Sequence, residues 1–213
     1  MPQTTPQEPA SRRVRHHGTQ RGDSRRDELI HAASELFAEN GYRDTSIADI
    51  AQRVGVTQQA LLYYFGSKAA LLDAVIDDRD GAAIAFAHEL AAIGGIDAIR
   101  TMPASARRNV ADPNLVRLFA VLVAENLPRD AVAHDHFVTR YRRLRRTVAD
   151  LIAQGQRDGV FDSGIDPTLK AAEIIAVIDG LNTQWLLDPD DVDIVRVSEQ
   201  FAEGLVATLS ART

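Results

Sequence analysis

No cysteine occurs among the 213 residues, so disulfides, zinc–thiolate sites and a thiol nucleophile are excluded together. Long hydrophobic runs are missing as well. No stretch approaches the roughly 20 consecutive apolar residues that span a bilayer. Residues 1–23, MPQTTPQEPASRRVRHHGTQRGD, lack the apolar centre of a secretory signal, so a cytoplasmic chain with no membrane attachment is expected. There is no excess of positive charge: the net charge is -6, and any binding to nucleic acid must come from local potential rather than from the total. The chain also lacks a Gly-x-Ser-x-Gly elbow, a phosphate loop and a dinucleotide fingerprint. His134 and His136, two residues apart on a predicted helix, point about 200° from each other and do not readily chelate one metal. Asp130 and His134 share a face, but two ligands make a weak site. No cofactor, no metal and no enzymatic activity are expected.

The local distribution of charge is uneven. Up to Arg26 six arginines stand against Glu8 and Asp23, among Pro, Gln, Thr and Ser. Residues 1–23 read as a disordered basic arm, either a solvated tail or a segment whose arginines touch phosphates or a minor groove. From Ser24 onward apolar residues recur at three- and four-residue spacing with no alternating pattern, which makes the fold class all-α with about nine helices. The first helix is expected from Ser24 to Asn40 and ends at Asn40-Gly41. Its buried stripe is Leu29, Ile30, Ala33, Leu36 and Phe37. Thr45 or Ser46 then caps a second helix with Asp49 placed for a capping box and Gly55 as its stop.

Gly55-Val56 leaves room for only a tight turn before Thr57, a good N-cap, opens a short helix from Gln58 to Tyr64. Two short helices joined this way make a helix-turn-helix, although structural helical hairpins share the spacing. Val56, Leu61 and Phe65 can pack inward, leaving Gln58, Gln59, Leu62 and Tyr63 outward. Gln can pair bidentately with adenine, Leu can meet a thymine methyl group and Tyr can donate to a phosphate. Ser67 caps the next helix and puts Lys68 in its first turn, where the helix dipole disfavours a cation. The placement makes sense if Lys68 and the amides of Ser67 to Ala70 hold a phosphate. Of the 24 Lys and Arg residues only Lys68 and Lys170 are lysines, which makes an accidental surface lysine here less natural.

Thr45-Ser-Ile-Ala-Asp-Ile-Ala51, Gly55-Val56-Thr57 and Leu61-Leu-Tyr-Tyr-Phe-Gly-Ser-Lys68-Ala-Ala-Leu-Leu72, preceded by Leu36-Phe37-Ala-Glu-Asn-Gly41-Tyr42, resemble the signature of the TetR family of transcriptional regulators. The resemblance covers about residues 24–72. It implies a three-helix DNA-binding head over 24–70, a helical effector-binding and dimerisation domain over 71–213, and a homodimer that binds a palindromic operator on double-stranded DNA. It further implies a repressor released by a small-molecule effector. Carried over by position, Thr45, Tyr63 and Lys68 would touch phosphates, Gln58, Gln59 and Leu62 would lie nearest the bases, and Thr57 and Tyr64 complete the DNA-contacting set. Many relatives have a small residue at position 59, Tyr at 62, His at 64 and Pro at 66, so the operator sequence is not transferable.

In the body a long fourth helix should run through Leu90 and break at Gly94-Gly95, with further helices starting near Ile96 and Asp112. A helix from about Arg129 to Gln156 carries Arg140, Arg142, Arg143, Arg145 and Arg146. These read as a solvated face with possible partners in Asp188, Asp190, Asp191 and Asp193. The last two helices, Asp166 to Leu187 and Val192 to Leu209, have apolar faces wide enough for two burial partners. That width agrees with a homodimer through 166–187 and 192–209. Polar or aromatic residues sharing apolar stripes, Phe86, Phe119, Asn126, His134, Tyr141, Asp179, Asn182 and Trp185, are the candidates for an effector pocket. A helical scaffold that kept the head but lost operator binding is the competing reading.

Overall fold

The computed structural model describes residues 17–210, with side chains from Ser24 on except those of 82 and 83. Ten helical elements follow one another: α1 (His17–Asp44), α2 (Ile47–Val54), α3 (Gln58–Phe65), α4 (Lys68–Ile93), α5 (Gly95–Thr101), α6 (Pro103–Ala111), α7 (Pro113–Glu125), α8 (His134–Arg157), α9 (Pro167–Leu187) and α10 (Ile194–Leu209). Met102 between α5 and α6 keeps helical dihedrals (φ -51°, ψ -39°), so the pair counted as one gives the nine expected helices. Among the described residues the sole β-type pairing is an isolated bridge between Phe161 and Ser210.

Local chemistry sets most boundaries. Ser46 closes a reciprocal capping box with Asp49, and Gly55 ends α2 in the left-handed region at φ 72°. Thr57, Ser67, Asp166 and Asp193 each accept a backbone N–H at the start of α3, α4, α9 and α10. Three boundaries differ from expectation. α1 begins at His17, so the end of the segment expected as a disordered arm is helical, while residues 1–16 lie outside the described residues. α6 starts afresh at Pro103, which lacks the N–H needed to continue α5. α8 begins at His134 rather than near Arg129, because Asn126 uses its side chain to build the preceding turn: Nδ2 donates to Leu122 O at 2.8 Å and Oδ1 accepts Ala133 N–H at 2.9 Å.

Three apolar clusters organise the molecule. The first joins Leu29, Phe37, Ile50 and Leu61 of the head to Leu71, Leu72, Val75 and Ile76 of α4, Leu118 and Leu122 of α7 and Phe137 of α8. The second gathers Ile99, Ile152, Phe161, Ile174, Leu205 and Leu209, and the third Ala106, Val116, Trp185 and Ile194. Helix α7 therefore runs from the third cluster, through Val116, into the first. A polar seam ties α4 to α8: buried Asp80 accepts from Arg140 Nε and, at 3.0 Å, from Arg143, and His136 lies 3.8 Å from both Asp73 and Asp77. Asp80 thus takes the place expected of the acidic Asp188–Asp193 stretch, where Asp188 and Asp193 instead cap backbone N–H groups.

Candidate nucleic-acid interface

Two residues, Gly55 and Val56, with Thr57 as the next cap, turn the chain from α2 into α3. Val56 N–H reaches Ala51 O at 2.9 Å, and Thr57 Oγ1 accepts Ala60 N–H at 3.1 Å. Leu61 then enters the core fully buried, with Val56 and Phe65 packed beside it. This fixes the opposite side of α3 toward solvent, where Gln58 and Gln59 are exposed, Leu62 is 38% exposed and Tyr63 is 87% exposed. Tyr64, 37% exposed, meets the Tyr63 ring edge-on at 5.8 Å between centroids. The two glutamines, Leu62 and Tyr63 thus share a projecting surface with the polarity and reach that base edges and phosphates require.

At the flank of α3, Gly66 (φ 75°) turns the chain and Ser67 caps α4 by accepting Ala70 N–H at 3.1 Å. Lys68 stands in the first turn, with Nζ 4.2 Å above the Tyr42 ring and donating to Arg43 O at 3.3 Å. Partial burial lowers its pKa, opposed by the charges of Glu125, Asp44 and Asp49. Asp49 itself is held below the usual carboxylate range by its hydrogen bonds from Ser46. Thr45, expected to touch a phosphate, has its side chain inside the head. It is 1% exposed, and its hydroxyl donates to Gly41 O at 2.7 Å and lies 3.1 Å from Leu36 O, so it fastens the chain after Gly41. Tyr42, the seat of Lys68, was not legible from spacing, since its partner comes from 26 residues further along the chain.

The eight effector candidates are not brought into one cavity. Asn126 and His134 build the α7–α8 turn, with His134 Nδ1 3.1 Å from Asn126 O. Phe119 and Phe86 lie under Arg140 and Arg108 at 4.2 and 3.9 Å, Tyr141 donates to Asp179 at 2.8 Å, and Trp185 is buried in the third cluster. Only Asn182, which accepts from Asn109 at 2.9 Å, lines the cavity between α6, α9 and α10, together with Met102, Ile178, Leu181 and Phe201. That cavity measures about 20 Å³, room for a water molecule rather than for a drug-sized ligand.

A three-helix head with a projecting third helix, mounted on a helical body, defines a helix-turn-helix DNA-binding regulator. The profile of the bacterial regulatory proteins of the tetR family matches residues 29–75, and that of the C-terminal part of BetI-type transcriptional repressors matches residues 101–210. The chain belongs to the TetR family of transcriptional regulators and is not an enzyme. It is similar to the transcriptional regulator TtgR of Pseudomonas putida, 26% identical over 193 residues that cover 84% of this chain and 88% of that protein. It is also similar to the transcriptional repressor KstR2 of Rhodococcus jostii, 28% identical over 83% of this chain and 87% of that protein. The solved structure of the regulator FadR of Bacillus subtilis in complex with stearoyl-CoA shares the fold with a TM-score of 0.75 at 22% identity, over 85% of this chain and 97% of that chain.

Proposed function

We propose that this regulator is a cytoplasmic repressor that binds a palindromic operator as a homodimer and leaves it when a small molecule enters the body. The observation that carries the reading is the face of α3: Leu61 is fully buried while Gln58, Gln59, Leu62 and Tyr63 are exposed. In this reading α3 enters the major groove, Gln58, Gln59 and Leu62 read base edges, and Thr57, Tyr63, Tyr64 and Lys68 hold phosphates on either side. Helices α9 and α10, within 166–187 and 192–209, pair with their copies and set the spacing of two heads. Repression is supported by the names of similar proteins, which include repressors. Release by an effector is supported by the stearoyl-CoA bound to FadR; here, with a cavity of about 20 Å³, α6, α9 and α10 must part to admit such a molecule.

Selection of bound duplexes from a random pool tests the reading. A palindrome is expected, with Gln59→Ala altering preference at particular base pairs in each half-site and weakening binding there by about tenfold, the effect of one lost bidentate base contact. Unenriched sequence, or equal loss on operator and random DNA, would remove sequence recognition from α3.

A further inference from the structure

Two side chains carry the wrong sign for the helix end on which they sit, and the same short turn joins them. Glu125 is the last residue of α7, where the dipole disfavours an anion, and Lys68 is the first of α4, where it disfavours a cation. Between them lies the short turn after Gly41, whose non-helical dihedrals (φ 81°, ψ 167°) kink α1 before its last three residues. The Glu125 carboxylate accepts Tyr42 N–H at 2.7 Å and Arg43 N–H at 3.3 Å. The same two residues also hold Lys68, which lies over the Tyr42 ring and donates to Arg43 O.

We infer that Glu125 is a positioning residue for DNA binding, through which body helix α7 holds the Tyr42–Arg43 turn that seats Lys68 against the phosphate backbone. Gly41 supports this independently. It adopts φ 81°, and a Cβ there would stand 2.7 Å from Glu125 Oε1, so the position is shaped for the close approach of that carboxylate. The opposite end of α7 explains why such a contact matters. Val116 packs in the third cluster with Ala106 and Ile194, two residues that also line the cavity. The 13 residues of α7 span roughly 20 Å at 1.5 Å per residue, so a shift of α6 or α10 reaches the Tyr42 turn along one rigid element. The charge of Glu125 also lies near Lys68, and its removal alone would favour a nearby phosphate. Two charge-assisted bonds to backbone amides outweigh that screened repulsion.

The inference rests on the proposed role of Lys68 at the operator, and the experiment separates the two. Affinity for a labelled duplex carrying the selected sequence, and for a random duplex of equal length, is measured across a salt series. The full-length chain and its Glu125→Ala, Glu125→Gln, Lys68→Ala and Lys68→Ala/Glu125→Ala forms are compared. Glu125→Ala is expected to bind the operator roughly tenfold more weakly, and Glu125→Gln, which keeps one acceptor, roughly threefold. The salt slope of Glu125→Ala should fall by about one per chain, the count of one lost phosphate contact. The double variant should match Lys68→Ala, because Glu125 acts through Lys68. Wild-type or tighter binding by both Glu125 variants, or multiplying effects in the double variant, overturns the inference while leaving the interface in place. If Lys68→Ala itself binds with unchanged affinity and slope, the reading of Lys68 fails and takes the inference with it. Should Glu125→Ala not fold, Glu125→Gln decides alone, and wild-type operator binding by that form overturns the proposal.

Discussion

Burial pushes the Tyr141 phenol up to about 12, aided by the charge of Asp179 and the hydrogen bond to it. Burial also raises the Asp179 carboxyl, although the bond from Tyr141 and the charge of Arg140 act against the rise. The sign for stability follows from the folded phenol keeping its proton while the unfolded one loses it near 10. Between about pH 10 and 12 the folded chain binds more protons than the unfolded chain, so stability contributed by Tyr141 is present below that window and is lost as pH rises through it. The sequence has four tyrosines, and a phenolate absorbance titration of the folded protein should contain a late step near 12. Tyr141→Phe should delete that step and leave the earlier ones. Loss of an earlier step in Tyr141→Phe, with the wild-type curve lacking a late one, would mean that the Tyr141 phenol is not buried beside Asp179 in solution.

At the scale of elements, Gly155 decides how α8 ends. Alanine is ordinarily better than glycine inside a helix by about 1 kcal/mol, yet a Cβ at Gly155 would stand 2.1 Å from Phe161 Cδ2. Phe161 has no room to withdraw, because Val160 and Phe161 both donate N–H to Gly155 O at 2.9 and 3.0 Å and the ring closes the second cluster at 4% exposure. Overpacking of this kind costs about 1–3 kcal/mol or more, so the clash wins. Gly155→Ala is expected to destabilise by about 2 kcal/mol in urea unfolding, and a gain in stability would show that the α8–α9 connection does not fold back here. The ends of most helices were legible because their chemistry is local: Ser46 with Asp49, Thr57, Ser67, Gly55 and Asp166 each act within a few residues. The fold class and the outward face of α3 were legible for the same reason, through periodicity. The pairing of Asp80 with Arg140, the burial of Thr45 and the use of Asn126 as a turn builder were not, since each depends on what another segment presents. The scatter of the effector candidates has the same origin: a polar residue on an apolar stripe serves a neighbouring helix as readily as a ligand.

Among the described residues, the outer faces of α9 and α10 together present apolar side chains to the surroundings. On α9, Ala171, Ile174 and Trp185 face inward, while Leu169 (71% exposed), Ala172, Ala176 and Leu187 (81% exposed) face out with Gly180 between them. On α10, Val197 and Gly204 lie seven residues apart, two turns along one face, and both are exposed. Among the described residues, no atom beyond the helix's own turn approaches within 4 Å of a Cβ built at Gly180 or Gly204. In a lone chain Gly204→Ala would therefore stabilise by roughly 0.5–1 kcal/mol through helix propensity alone. If α9 and α10 pack against their copies, the same methyl group intrudes where two backbones approach, and the sign reverses. We expect the reversal: Gly204→Ala should weaken association in sedimentation equilibrium and lower the thermal midpoint, and Val197→Glu should do so more strongly, leaving monomers with native helix content. Because two heads on one duplex bind far better than one, operator affinity should fall with the dimer while binding per head to random DNA stays unchanged. A Gly204→Ala protein that gains stability and associates as before would place the outer face of α10 in solvent and move the pairing surface elsewhere on the body.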